Sequence, residues 1–430
     1  MNAPVHTDQH APSYYLASAN RHTEYPRLEG SLSADVCVVG GGFTGVSTAL
    51  NLAERGYRVI LLEARKLSWG ATGRNGGQLI RGIGHGAEQF RNEIGSEGVE
   101  AIFRMGLEAV EIVRHTVAKY DIDCDLTWGY FDAATRPRHM KELQESFDEL
   151  SRYQYAHEIR MLDRSEIPSV VGSDMYIGGM IDMGSGHVHP LNLCLGEAAA
   201  AEQMGAQFFE YSPAIRIEHG SKPVVHTEHG SVSADFVVLG GNAYIGDLEP
   251  RIAGKVLPAG SYVIATEPLP EAVHRRLIPQ NMAICDQRVA LDYYRLSADK
   301  RLLFGGMCNY SGREPASIKA AMQPKMLKVF PELADVRIDY EWGGNIGIGA
   351  NRMPQLGRLS DNVIYAQAYS GHGVNATHMM GRLIADMISG QAERFDVFAR
   401  IKHMTFPGGK HLRSPLLAAG MLYYRFMDLF

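Results

Sequence analysis

The chain is poor in cysteine, with five in 430 residues, at positions 37, 124, 194, 285 and 308. They form no Cys-x-x-Cys pair and no Cys/His cluster. That excludes a zinc site of the common spacings and a disulfide framework, and it predicts a reducing compartment. Long apolar runs are missing as well: none reaches the roughly 18 residues a membrane-spanning helix requires. The first 30 residues carry no apolar segment behind a basic start, so they do not read as a secretory signal. Positive charge is not in excess either, since 42 Lys and Arg against 48 Asp and Glu give a net charge of −6. Nucleic acid is therefore not an expected partner. These absences predict a cytoplasmic protein with no metal site.

What is present is an ordinary globular balance, 45% hydrophobic and 21% charged, over a length that predicts two or three domains. From Asp35 the pattern is strand, turn, helix, strand. DVCVVG is apolar and β-branched, as a strand buried on both faces should be. GGFTGVSTALNLAERGYR has helical spacing with Gly56 at its C-terminal end, and VILLEA is a second strand. Between strand and helix lies Gly40-x-Gly42-x-x-Gly45, and Glu63 follows Gly45 by 18 residues. In that context the glycines allow a tight turn and close approach of a pyrophosphate, while the helix start favours phosphate charge. A carboxylate at Glu63 suits a ribose hydroxyl and disfavours a 2′-phosphate. The motif leaves NAD and FAD both open.

The next segment, GATGRNGGQ at 70–78, holds four glycines and no large apolar residue. Bare backbone there fits the long reach of a flavin dinucleotide, with the glycines letting the chain approach the cofactor. Further on, helices are expected over 96–125, 137–153 and 187–205, and a short strand around Gly129–Ala133. SVSADFVVLGGNAY (231–244) repeats the shape of SLSADVCVVGGGFT (31–44), which predicts a second strand of the same sheet ending near the same ligand. Residues 258–310 alternate in an antiparallel manner, clearest in SYVIATE, ALDYYRL and RLLFGG. The expected architecture is α/β, a discontinuous Rossmann-like cofactor domain (30–95, 186–250 and 340–395) with an antiparallel-sheet substrate domain (96–185 and 251–339). An extension follows at 396–430.

VVGGGFTG, LLEA, GATGRNGGQ and YSGHGVNATHMMGRLIADMISG together resemble the glycine oxidase, sarcosine oxidase and D-amino-acid oxidase group of FAD enzymes. SYYLASAN, GHVHPLNL, GNAYIGDLEP, LDYYRLSADKRLLFGG, RMPQLGR and RFDVFARIKHMTFPGGKHLRSP are similar to the branch that oxidises γ-glutamylated polyamines such as γ-glutamylputrescine. The resemblance implies that Gly40, Gly42, Thr44, Gly45, Glu63, Ala64 and Arg65 hold the ADP half of FAD. Gly70, Ala71, Thr72, Arg74, Asn75, Gly76, Gly77 and Gln78 then line the pyrophosphate and ring. Ile215, Gly241 and Asn242 complete that shell, and Ser370, Gly371, His372, Gly373 and Val374 offer backbone beside the pyrimidine.

Two departures from the sarcosine oxidase branch matter. Gly343–Gly357 contains no cysteine, which implies non-covalent FAD. The lysine that follows the SGHG pair in that branch is Asn375 here, although Arg81 aligns with its carboxylate-binding arginine. Half of a carboxylate clamp fits an amine better than a small amino acid. The implied reaction oxidises the carbon next to nitrogen, and the imine hydrolyses to aldehyde and ammonia. Oxygen, giving hydrogen peroxide, or a quinone or other acceptor takes the electrons. An ammonium with a pKa of ~10 has to be bound or generated as the neutral amine, which an aromatic, partly desolvated pocket favours. Tyr262, Tyr293, Tyr294, Arg295, Arg81 and His187 are the substrate-site candidates, with at most one of the adjacent tyrosines facing the pocket. The terminal run SPLLAAGMLYYRFMDLF reads as an element packed on the catalytic body, with a membrane-surface contact or a dimer interface as the competing readings.

Overall fold

Val59–Leu62 is buried at every position, and so is the run Val36 to Val39 beside it. Such strands need cover on both faces, and only the interior of a layered α/β sheet supplies it. The computed structural model of this chain describes residues 9–288, 291–309 and 314–409. The terminal run SPLLAAGMLYYRFMDLF lies outside the described residues.

The first sheet has eight strands. Its central path runs Gln355–Ser360, Val363–Gln367, Gly230–Leu239, Gly30–Val39, Val59–Leu62 and Gln207–Phe209. The last five of these pair in parallel, and Gln355–Ser360 forms an antiparallel edge. Gly30 pairs with Gly230, Ser31 with Ser231 and Ala34 with Ala234, so the two similar sequence stretches lie side by side in the same phase. Helices Phe43–Ala53, Pro190–Gln203 and Val374–Ile388 share the large core on one face of this sheet.

The second sheet has nine strands, in the order Ile338–Ile348, Leu257–Thr266, Leu302–Asn309, Asp292–Leu296, Ala283–Asp286, Thr127–Ala134, Gly178–His187 and Gln78–Leu79, with Ile159–Asp163 pairing to Gly178–His187. Its back carries a separate core that includes Tyr262, Tyr294, Phe304 and Phe330, covered by the helix Ile318–Val329. Gln78–Leu79 and Ile338–Ile348 run in this second sheet, although the sequence pattern places residue 78 and most of 338–348 with the first layer.

The long helix spans Arg91–Lys119, earlier at both ends than its periodicity predicts, with a kink at Gly95 and an end fixed by positive φ at Asp121. The other two expected helices occupy Pro137–Arg152 and Pro190–Gln203. The second begins where His189 Nδ1 accepts from Asn192 N at 3.1 Å and Pro190 follows, a cap and a first-turn proline.

Candidate active site

Between the two sheets lies a cavity of about 810 Å³. At one end the strand Gly30–Val39 turns into the helix Phe43–Ala53. Gly40 sits at φ +109°, and a Cβ on Gly45 would lie 1.9 Å from Gly40 O, so neither position admits a side chain. Gly42 opens the helix without a side chain of its own, Phe43 N donates to Thr72 Oγ1 at 3.0 Å, and the positive end of the helix lies at the cavity. Glu63, at the end of the adjacent strand, accepts from Gly41 N at 2.6 Å and Arg65 N at 2.9 Å. Burial pushes its carboxyl above the usual range.

The 70–78 segment lines the middle of the cavity through Gly70, Ala71, Thr72, Arg74, Asn75, Gly76 and Gln78. Its glycines answer a different demand from the one expected of them. A Cβ on Gly73 would meet Ser68 O at 2.4 Å, one on Gly76 would meet the Tyr293 ring at 2.3 Å, and one on Gly77 would meet Val188 O at 2.2 Å. The bare backbone makes room for neighbouring protein, and the cavity takes what remains. Asn75 braces the turn, donating to Thr72 O at 2.8 Å and accepting from Gly77 N at 2.7 Å. Arg65 and Arg74 stack on the Trp69 ring at 4.1 and 4.3 Å.

The far side is closed by Ser370, Gly371, His372, Gly373 and Val374, which lead into the helix Val374–Ile388. Ser370 and Gly371 take positive φ, and His372 Nε2 bonds Ile80 O at 3.1 Å. Asn242 lines the cavity beside Gly241 and holds Ala368 N at 2.8 Å. Asn375, another lining residue, donates to Gly82 O at 2.7 Å, while its buried Oδ1 has no partner among the described residues. A glycine-rich helix start, a carboxylate at a strand end and the Ser370–Val374 turn across the cavity fit a dinucleotide that carries a further polar ring. Residues 35–387 match the family model described as FAD dependent oxidoreductase.

This chain belongs to the FAD-dependent oxidoreductase family.

Among relatives, the chain is 44% identical over 421 residues to gamma-glutamylputrescine oxidoreductase of Escherichia coli K12, covering 98% of this chain and 99% of that one. It is 40% identical over 426 residues to the probable oxidoreductase OrdL of Haemophilus influenzae, covering 98% of each. Solved structures share the fold at lower identity. L-proline dehydrogenase from P. horikoshii superposes with a TM-score of 0.72 at 19% identity, covering 87% of this chain and 98% of that one. Glycine oxidase from Geobacillus kaustophilus superposes with a TM-score of 0.71 at 21% identity, covering 87% and 100%.

The structure sorts the substrate-site candidates of this family member sharply. Tyr293 lines the cavity, its ring clasped between Gly76 and Gly305 and its hydroxyl 3.3 Å from Ser261 Oγ. Tyr294 points to the opposite face, where it bonds the Tyr176 hydroxyl at 2.8 Å in the second core. Tyr262 packs in that same core against Gly343. Arg295 is buried and bonds Gly76 O at 2.9 Å and Val188 O at 2.8 Å, so it ties the 70–78 segment to the second sheet and does not border the cavity. His187 bonds Asn281 O at 2.9 Å away from the cavity, and burial holds it down at about 3. Arg81 also faces away, because the fully buried Asp182 draws it into a 2.6 Å ion pair. Ile215 corrects the expected cofactor shell: it is 56% exposed, while the two residues before it, Pro213 and Ala214, line the cavity.

Several lining residues escaped the sequence reading: Tyr130, Asp132, Cys285, Arg288, His85 and Arg352. Register explains the first three. Asp132 pairs with Cys285, Cys285 with Tyr293 and Tyr293 with Gly305, a row across four strands on one face of the second sheet. Tyr130 stands two residues before Asp132, while Phe131 and Ala133 enter the core behind. The signal was the alternation in TWGYFDAA, with one carboxylate in an otherwise uncharged strand.

Proposed function

We propose that this chain binds FAD non-covalently and oxidises a primary amine, γ-glutamylputrescine or a related γ-glutamyl-polyamine, to the aldehyde. The products are ammonia and, with O₂ as acceptor, hydrogen peroxide, in cytoplasmic polyamine catabolism. The observation that carries the reading is end-to-end similarity to a relative named for that substrate, 44% over 98% of the chain. The cavity agrees with it. The two positions that align with the clamp of the sarcosine oxidase branch are both engaged elsewhere, Arg81 by Asp182 and Asn375 by Gly82 O. All five cysteines are free, which suits a reducing compartment.

In this proposal the Gly40–Phe43 turn and the helix start hold the pyrophosphate of FAD, and Glu63 accepts from ribose hydroxyls. The start of the helix Val374–Ile388 faces the pyrimidine side and favours negative charge there. Bound FAD supplies a two-electron acceptor for the C–H bond next to nitrogen. The chain's part is to seat the amine, to hold back water with Tyr130 and Tyr293, and to let the bound ammonium lose its proton before its neighbouring carbon reacts.

Anaerobic mixing of the purified yellow protein with γ-glutamylputrescine should bleach its visible absorbance, and air should restore the colour with release of hydrogen peroxide. A protein left yellow by γ-glutamylputrescine, putrescine and other primary amines would end the reading. Turnover with a quinone analogue and no peroxide would replace O₂ as acceptor. Acid precipitation should leave the flavin in the supernatant.

A further inference from the structure

We infer that Asp132 is the counter-ion that receives the ammonium group of the substrate, a role that rests on the amine reading above. Among the described residues three carboxylates border the cavity: Glu63, Asp286 and Asp132. Glu63 is engaged through both oxygens by backbone N–H groups. Asp286 is held by Arg288, through Nε at 2.9 Å and the backbone N at 3.0 Å. Asp132 differs. Its Oδ1 accepts from Gln287 at 2.8 Å, whereas among the described residues Oδ2 has only the Arg81 guanidinium at 3.8 Å, beyond hydrogen-bond reach.

Arg81 cannot be counted as that missing partner. Its short contact goes to Asp182, which also accepts from Tyr155 at 3.0 Å, Ser185 and the Gly184 backbone. Arg81 and Asp182 therefore cancel. Arg288 and Lys325 likewise balance Asp286 and Asp292, with Lys325 Nζ 3.0 Å from Asp292. What remains on this sheet face is one negative charge on a carboxylate only 13% exposed. A charge so placed is held at a cost unless a cation joins it. The cation has to be small and carry N–H donors, as a primary ammonium does.

The neighbours leave the titration of this face to Asp132. Burial raises its carboxyl to about 6. Tyr130 and Cys285, beside it, are pushed up by burial and stay neutral. His85 is brought down to about 4, and His372 is lowered as well. Arg352 borders the cavity near His85 and adds to the lowering of that imidazole. Binding of a cation at Asp132 should therefore weaken as pH falls through about 6.

The probe is tert-butylammonium, which cannot be oxidised because the carbon next to nitrogen bears no hydrogen. Calorimetry on the FAD-loaded protein should show binding near neutral pH that weakens at least tenfold in Asp132→Asn. In the unaltered protein the affinity should fall about tenfold from pH 7 to pH 5, the change expected for a carboxyl of pKa near 6. Equal affinity in the two proteins, no binding to either, or a flat pH profile overturns the assignment. The pH arm decides by itself if Asp132→Asn does not retain FAD. The amine reading is judged separately, by γ-glutamylputrescine bleaching of the unaltered protein.

Discussion

Gly76 and Tyr293 define each other. The ring occupies the space a Cβ on Gly76 would take, and Gly305 clears the other side, so one aromatic wall of the cavity depends on two glycines. Gly76→Ala should destabilise the protein by about 1–3 kcal/mol through overpacking, and most of that loss should vanish when Tyr293 is also replaced by alanine. Denaturant unfolding of the four proteins measures it. Gly77→Ala should cost more and resist rescue, because its obstacle is the backbone carbonyl of Val188 and its φ is +72°. At this scale the sequence is legible in type and illegible in reason. Bare backbone at 70–78 is visible in the letters. What it makes room for requires knowing that Tyr293 and Arg295 arrive from more than 200 residues away, and no local pattern carries that.

Among elements, the helix Val374–Ile388 shows how the site is anchored. His378 on its buried face bonds Glu197 Oε1 of the helix Pro190–Gln203 at 2.7 Å, with both side chains out of water. The glutamate raises the imidazole above its ordinary value despite burial. A raised histidine contributes stability in full below the unfolded value near 6.5 and loses it as pH rises through the folded one. The melting temperature should therefore decline from about pH 6.5 upward, and Glu197→Gln should flatten that decline; thermal melts between about pH 6 and 9 would show it. Glu197→Ala should cost about 3–5 kcal/mol by stranding its partner. Strand periodicity was readable at this level. The match of 31–44 to 231–244 predicts neighbours, and they are neighbours in register. Sheet membership was not readable for Gln78–Leu79 or Ile338–Ile348, because a strand's letters state its burial and not its partner.

For the molecule as a whole, the cavity is bounded by both sheets, and the chain passes between them four times. Filling the cavity should bind the layers together. FAD at a thousandfold excess over its dissociation constant should stabilise the protein by about 4 kcal/mol, and stripping the cofactor should lower the melting temperature accordingly. A cofactor-free protein that melts at the same temperature would contradict this picture. The repeated crossing also limited what composition could reveal, since two layers woven from one chain differ little in residue content.

The nine-pair parallel seam between Gly30–Val39 and Gly230–Leu239 joins two distant parts of the polypeptide. An exposed turn at 219–222 lies between them. Cutting the gene at Gly220 would give one fragment with Gly30–Val39, Val59–Leu62 and Asp132, and another with Gly230–Leu239, Tyr293 and the final helix of the cavity wall. Neither holds a complete sheet. The two should be colourless apart and yellow when co-expressed, a complementation pair whose reassembly can be seen by eye.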